Sequence, residues 1–246
     1  MNSLILCEGK TDCILLQYYM EKVYSWERKR ESNFHVTEKT WSNLLEKGNN
    51  TLIISETKGS SRIVDGVITA IRRNENAAPG SSDEFLDRIM VFTDNDEENT
   101  PDNIISKIKE NLHETSASLV GDIQRDKWIN GEVSTLEGRK KFDIYVMFIP
   151  FDENGALETY LLNGIADNDA YDKTIIEKSG LFVDAVDPEE KYLKHRRLMT
   201  KAKFDIYFSV RTPVEQYPER QSILKSVAWE NYDMIRKDFK VFGELG

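Results

Sequence analysis

The chain has 246 residues (28.5 kDa), 39% of them hydrophobic and 10% aromatic, enough to bury one large core or a core domain with additions. A net charge of −10 excludes a protein that coats nucleic acid through a broad basic surface, since counterion release needs many phosphate contacts. Cys7 and Cys13 cannot build a disulfide framework or a structural zinc site. No apolar stretch is long enough for a membrane span or a signal peptide, so a cytoplasmic protein is expected.

Leu4 to Cys7 is a continuous apolar run, expected to form a strand buried on both faces that delivers Glu8 at its carboxyl end. Gly9 is expected to make the turn and Thr11 to cap a helix over 11–24, with apolar positions Ile14, Leu15, Tyr18, Tyr19 and Val23. Asp12, four residues beyond Glu8, then faces the same crevice, where open α/β folds place ligands. Ser25 to Asn50 reads as a polar segment. Thr51 to Ser55 reads as a strand whose Gly-Ser loop, entering a helix over 61–73, could hold an anion on backbone N–H groups but lacks the Walker A pattern.

After a loop over 74–82, Arg88 to Phe92 repeats the buried-strand pattern and delivers Asp94 and Asp96. The bland reading of residues 94–99 is a solvated acidic loop; an EF-hand is excluded because its glycine is missing and a strand leads in. A helix follows over 101–115, with Pro101 at its first position. Asn130-Gly131 reads as the turn of a hairpin in a small β insertion. Phe142 to Pro150 is a long strand, ended by Pro150, after which Gly155 turns the chain into a helix carrying Glu158. The remainder reads as mainly helical, with a closing helix over 223–239. Residues 191–203 hold the densest basic cluster, including Lys194, Arg196, Arg197, Lys201 and Lys203.

Strands alternating with helices predict an α/β fold with a mostly parallel sheet and helices on both faces. The expected division is a core over 1–165, with insertions near 25–50 and 116–141, and a helical extension over 166–246 packed on that core.

A glutamate after the first strand, Glu8, and an Asp-x-Asp after a later one, Asp94 and Asp96, resemble the signature of the Toprim domain. The Pro150…Gly155-x-Leu157-Glu158-x-x-Leu161-Leu162 pattern is similar to one in small OLD-like Toprim nucleases. The resemblance covers roughly residues 2–162 and implies a Rossmann-like fold. Its implied activity is metal-dependent phosphodiester hydrolysis of DNA or RNA. It also implies Mg²⁺ or Mn²⁺ held by Glu8, Asp94 and Asp96, completed by Asp12 and Glu158. Glu8 could instead serve as general base, and Lys201 or Lys203 would stabilise the transition state. A partner protein such as a separate ATPase is also implied. The chain departs from the topoisomerase and maturation-ribonuclease patterns at Glu97-Glu98-Asn99, and has neither the size of a topoisomerase nor the cysteines of a primase. A non-catalytic Toprim scaffold that binds nucleic-acid ends or a partner is the main alternative. A receiver-like phosphoacceptor is the other, and the order of the acids speaks against it.

Overall fold

The computed structural model describes residues 1–78, 84–212 and 220–246. The chain divides into two compact units, Met1–Phe148 with Val241–Gly246, and Ile149–Lys240.

In the first unit, β1 (Asn2–Cys7) lies between β4 (Asn50–Glu56) and β5 (Arg88–Asp94), parallel to both. This parallel centre is what continuous apolar runs demand: Leu4, Ile5, Leu6 and Cys7 are fully buried, as are Leu52 and Ile54 of β4 and Ile89, Met90 and Val91 of β5. Each large apolar side chain so buried contributes about 1.5–3 kcal/mol.

The flanks differ from the expected mostly parallel sheet. β2 (Glu27–Glu31) and β3 (Ser42–Lys47) extend it antiparallel on one side; on the other, β8 (Gly138–Ile149) lies beside β5, and β7 (Ile129–Thr135) and β6 (Ser118–Leu119) follow, antiparallel to β8 and β7 in turn. The full order is β2-β3-β4-β1-β5-β8-β7-β6, a mixed sheet. The segment read as polar filler thus contains two strands. Glu-Arg-Lys-Arg-Glu of β2 is exposed throughout, an edge strand whose charges block further pairing, so no hydrophobic alternation betrays it.

Helices cover both faces. α2 (Ile63–Asn76) and α3 (Thr100–Leu112) share a core with Leu4, Leu6, Ile89 and Val91. α1 (Lys10–Tyr24) packs on β1 and β4 on the face that Ile5 and Cys7 reach by strand alternation. Phe242 returns to the first unit and tilts against Phe92 at 6.1 Å.

The hairpin turn is not at Asn130-Gly131, which lies inside β7. The chain reverses between Thr135 and Gly138, whose φ of +118° favours glycine. Gly131 serves packing instead, for a Cβ there would stand 2.5 Å from Cζ of Phe142.

The second unit, from Ile149, is helical: α4 (Leu157–Asn168) packs with α5 (Ala170–Val186) and α6 (Arg196–Arg211). The expected closing helix is broken into α7 (Arg220–Ser226), a 3-10 turn at Trp229–Asn231 and α8 (Asp233–Asp238). The Trp229 indole N–H donates to the carbonyl of Leu224 at 2.9 Å, and its ring packs on Phe208 and Tyr232.

Candidate functional site

The carboxyl ends of the three parallel strands converge on acidic residues. β4 ends at Glu56, β1 passes into Glu8, and β5 ends at Asp94; Cys7 is in register with Glu56 on one side and Phe92 on the other. Glu8 is 4% exposed and Glu56 9%, whereas Asp94 and Asp96 are partly exposed. The register sets Thr93, one residue before Asp94, beside Glu8: its hydroxyl donates to Glu8 Oε2 at 3.4 Å.

The turn after β1 is built by its neighbours. The Thr57 N–H donates to the carbonyl of Cys7 and the Gly59 N–H to the carbonyl of Glu8, both at 2.8 Å. The loop after β4 is therefore clipped to the same edge, and it carries the exposed side chains of Lys58 and Arg62. Gly9 has a φ of −139°, extended backbone open to any residue, so left-handed geometry does not explain it. Asp12 accepts the Gly9 N–H at 2.8 Å and closes the first turn of α1, a role expected of Thr11, which lies within the helix.

Behind this edge, Cys7 and Cys13 are fully buried and hydrogen-bonded to each other. Burial pushes both thiols up, and the carboxylates of Asp12 and Glu56 push them further. They are held protonated, unsuited to nucleophilic or thiolate-ligand chemistry.

The remaining sequence-derived candidates belong to the second unit. Glu158, 5% exposed in the first turn of α4, faces Arg220, with Nε 3.8 Å from Oε1. Arg220 is in turn clamped by both oxygens of Asp205, at 3.1 and 2.6 Å. Lys203 pairs with Asp184 at 2.8 Å, and Lys201 is partly buried on the same helix. Gly155, expected to turn the chain ahead of Glu158, is required by close approach: a Cβ would lie 2.9 Å from both Pro150 and Thr159.

Residues 2–242 match the family described as protein of unknown function (DUF3226). The chain belongs to that family. No curated protein matches this DUF3226 chain. The crystal structure of hypothetical protein PH0156 from Pyrococcus horikoshii OT3 is similar in fold, with 19% identity and a TM-score of 0.50 over 98% of this chain and 99% of that one. The structure of hypothetical protein SA1046 from S. aureus aligns with 58% of this chain and 91% of its own at 13% identity and a TM-score of 0.16, too distant to carry an argument.

Among the described residues of this DUF3226 chain, no group of three or more His, Cys, Asp or Glu side chains is arranged to hold a metal. What the first unit does bring together are the ends of two adjacent parallel strands, one followed by Glu8 and the other ending at Asp94. Thr93 and Glu56 were passed over in the sequence. Thr93 stands level with Glu8 through the register of the two parallel strands, which the sequence of either strand alone does not show.

Proposed function

We propose that this chain is a metal-dependent phosphodiesterase acting on nucleic acid, a Toprim-type, OLD-like nuclease with a Rossmann-like centre. Glu8 and Asp94 would bind Mg²⁺ or Mn²⁺, with water completing the ion's shell. The observation that carries the reading is the delivery of Glu8 and Asp94 by two hydrogen-bonded parallel strands to the edge where open α/β sheets gather ligands. The donors fit the ion: carboxylates are hard oxygen ligands, and an ion held by one or two of them keeps most of its waters, as Mg²⁺ usually does. Bound there, it would supply water activation and charge stabilisation at the phosphate.

The chain's own residues would hold this edge in shape. The Thr93 hydroxyl orients the Glu8 carboxylate, and the Gly59 N–H fixes the Glu8 backbone. Asp12, engaged with the Gly9 N–H, acts as a positioning residue. Lys58 and Arg62, carried on the clipped loop, would meet phosphate charge. Glu158, Lys201 and Lys203 lie in the second unit, and this reading does not require them.

The second reading is a non-catalytic scaffold that binds nucleic-acid ends or a partner such as a separate ATPase; the net charge of −10 favours it. Labelled DNA and RNA, single- and double-stranded, incubated with Mg²⁺, Mn²⁺ or EDTA separate the two. Cleavage only with metal, lost in Glu8→Gln and Asp94→Asn at unchanged unfolding midpoints, supports the nuclease. Metal-dependent binding without cleavage supports the scaffold. Cleavage undiminished in both variants removes the proposed site.

A further inference from the structure

A cavity of about 460 Å³ lies within the second unit, among α4, α5 and α6. Each helix contributes one stripe at helical spacing: Thr159, Leu162 and Asn163; Ile176 and Gly180; Arg196, Met199, Thr200 and Lys203. Asn154 completes the wall.

The chemistry of this lining is one-sided. Among the described residues it holds two cations, Arg196 and Lys203, and no carboxylate, in a chain whose net charge is −10. Leu162, Ile176 and Met199 are its apolar lining, beside two asparagines, Asn154 and Asn163, and two threonines, Thr159 and Thr200. The neighbouring cleft of about 560 Å³ in the same unit is the reverse, with Asp152, Glu153, Asp167, Asp233 and Asp238 against Lys237. An anion that avoids the second cleft would be accepted by the first.

Two details favour an occupant. Lys203 is paired with Asp184, but their side chains are 34% and 49% exposed, and an exposed ion pair contributes little, so a ligand anion can replace Asp184 cheaply. At Gly180 a Cβ would meet no heavy atom within 4 Å, so α5 leaves room where it borders the cavity. The volume is in the range of small-ligand sites.

We infer that this cavity binds a nucleoside monophosphate, free or as the end of a strand. The phosphate would lie against Arg196 and Lys203, and the base on the Leu162–Ile176–Met199 lining with its edge toward the amides. The inference is independent of the metal site and survives its failure.

The test is calorimetric titration in EDTA with AMP, adenosine, inorganic phosphate and a 5′-phosphorylated tetranucleotide, using wild type, Gly180→Leu and Arg196→Glu/Lys203→Glu. Gly180→Leu exchanges glycine for a better helix former, so the fold is expected to hold while the cavity is filled. The expected result is AMP binding at least tenfold tighter than adenosine or phosphate, weakened tenfold or more in both variants. Tighter binding of the tetranucleotide assigns the ligand to a strand end, and tighter binding of AMP to a free nucleotide. AMP binding equal to that of inorganic phosphate, unaffected by Gly180→Leu, or absent at millimolar concentration overturns the inference.

Discussion

Glu8 at the end of β1 and Glu158 at the start of α4 are almost equally shielded, 4% and 5% exposed, yet their surroundings differ in kind. Glu158 keeps a cation of its own unit, Arg220 at 3.8 Å, itself held by Asp205. Glu8 meets the hydroxyl of Thr93, and its flanking strands bring Glu56 and Asp94 to the same edge. A buried carboxylate is therefore a poor marker of a site by itself: the same burial serves an ion pair among helices at Glu158 and a strand end beside Glu56 and Asp94 at Glu8. A gathering of like charge is costly unless a cation joins it.

That contrast breaks most sharply under substitution. In the proposed nuclease, Asp94→Asn should lower metal-dependent cleavage by about 100-fold or more while leaving the urea midpoint unchanged, because the residue is partly exposed and serves the ion rather than the core. Arg220→Ala should do the opposite. It strands Glu158 and is expected to destabilise the protein by about 2 kcal/mol, with cleavage per folded molecule retained.

A smaller effect sharpens the description of the first unit's flank. Gly131→Ala sets a Cβ 2.5 Å from the Phe142 ring and should cost about 1–3 kcal/mol in denaturant unfolding, whereas a true turn glycine would show strain of another origin.

The smallest effect is a pH dependence in the second unit. Burial raises the Asp238 carboxyl above its ordinary 3.8, the nearby charge of Asp152 adds to this, and the hydrogen bond from Tyr160 (3.0 Å) and the charge of Lys237 only partly offset it. A raised pKa favours the protonated form in the native state. Its stabilisation is complete below pH 3.8 and is lost as pH rises through the folded value. Asp238→Asn should thus gain on wild type as pH rises through that window, measured as the difference in urea midpoints; a constant difference would contradict the assignment.

Much of the candidate edge was legible in the sequence because β1 and β5 are unbroken apolar runs that end in acids, a pattern that buried parallel strands impose. The flanks were not. β2 is wholly charged, since an exposed edge strand is selected against stickiness and not for burial. Asn130-Gly131 carries the composition of a turn, but its glycine answers to Phe142 across the ladder, a neighbour 11 residues from Gly131 that local pattern does not reveal. The same limit hid the partners of the site candidates: Thr93 beside Glu8 and Arg220 beside Glu158 are 85 and 62 residues away. Periodicity places a carboxylate on an element, and only the fold says which charge it meets.

The most direct test of the central claim is calorimetric titration of Mn²⁺ into wild type, Glu8→Gln, Asp94→Asn and Arg220→Ala. The account predicts binding by wild type and Arg220→Ala and its loss in the two carboxylate variants. Equal binding by wild type and the carboxylate variants, or no binding by wild type, would contradict it.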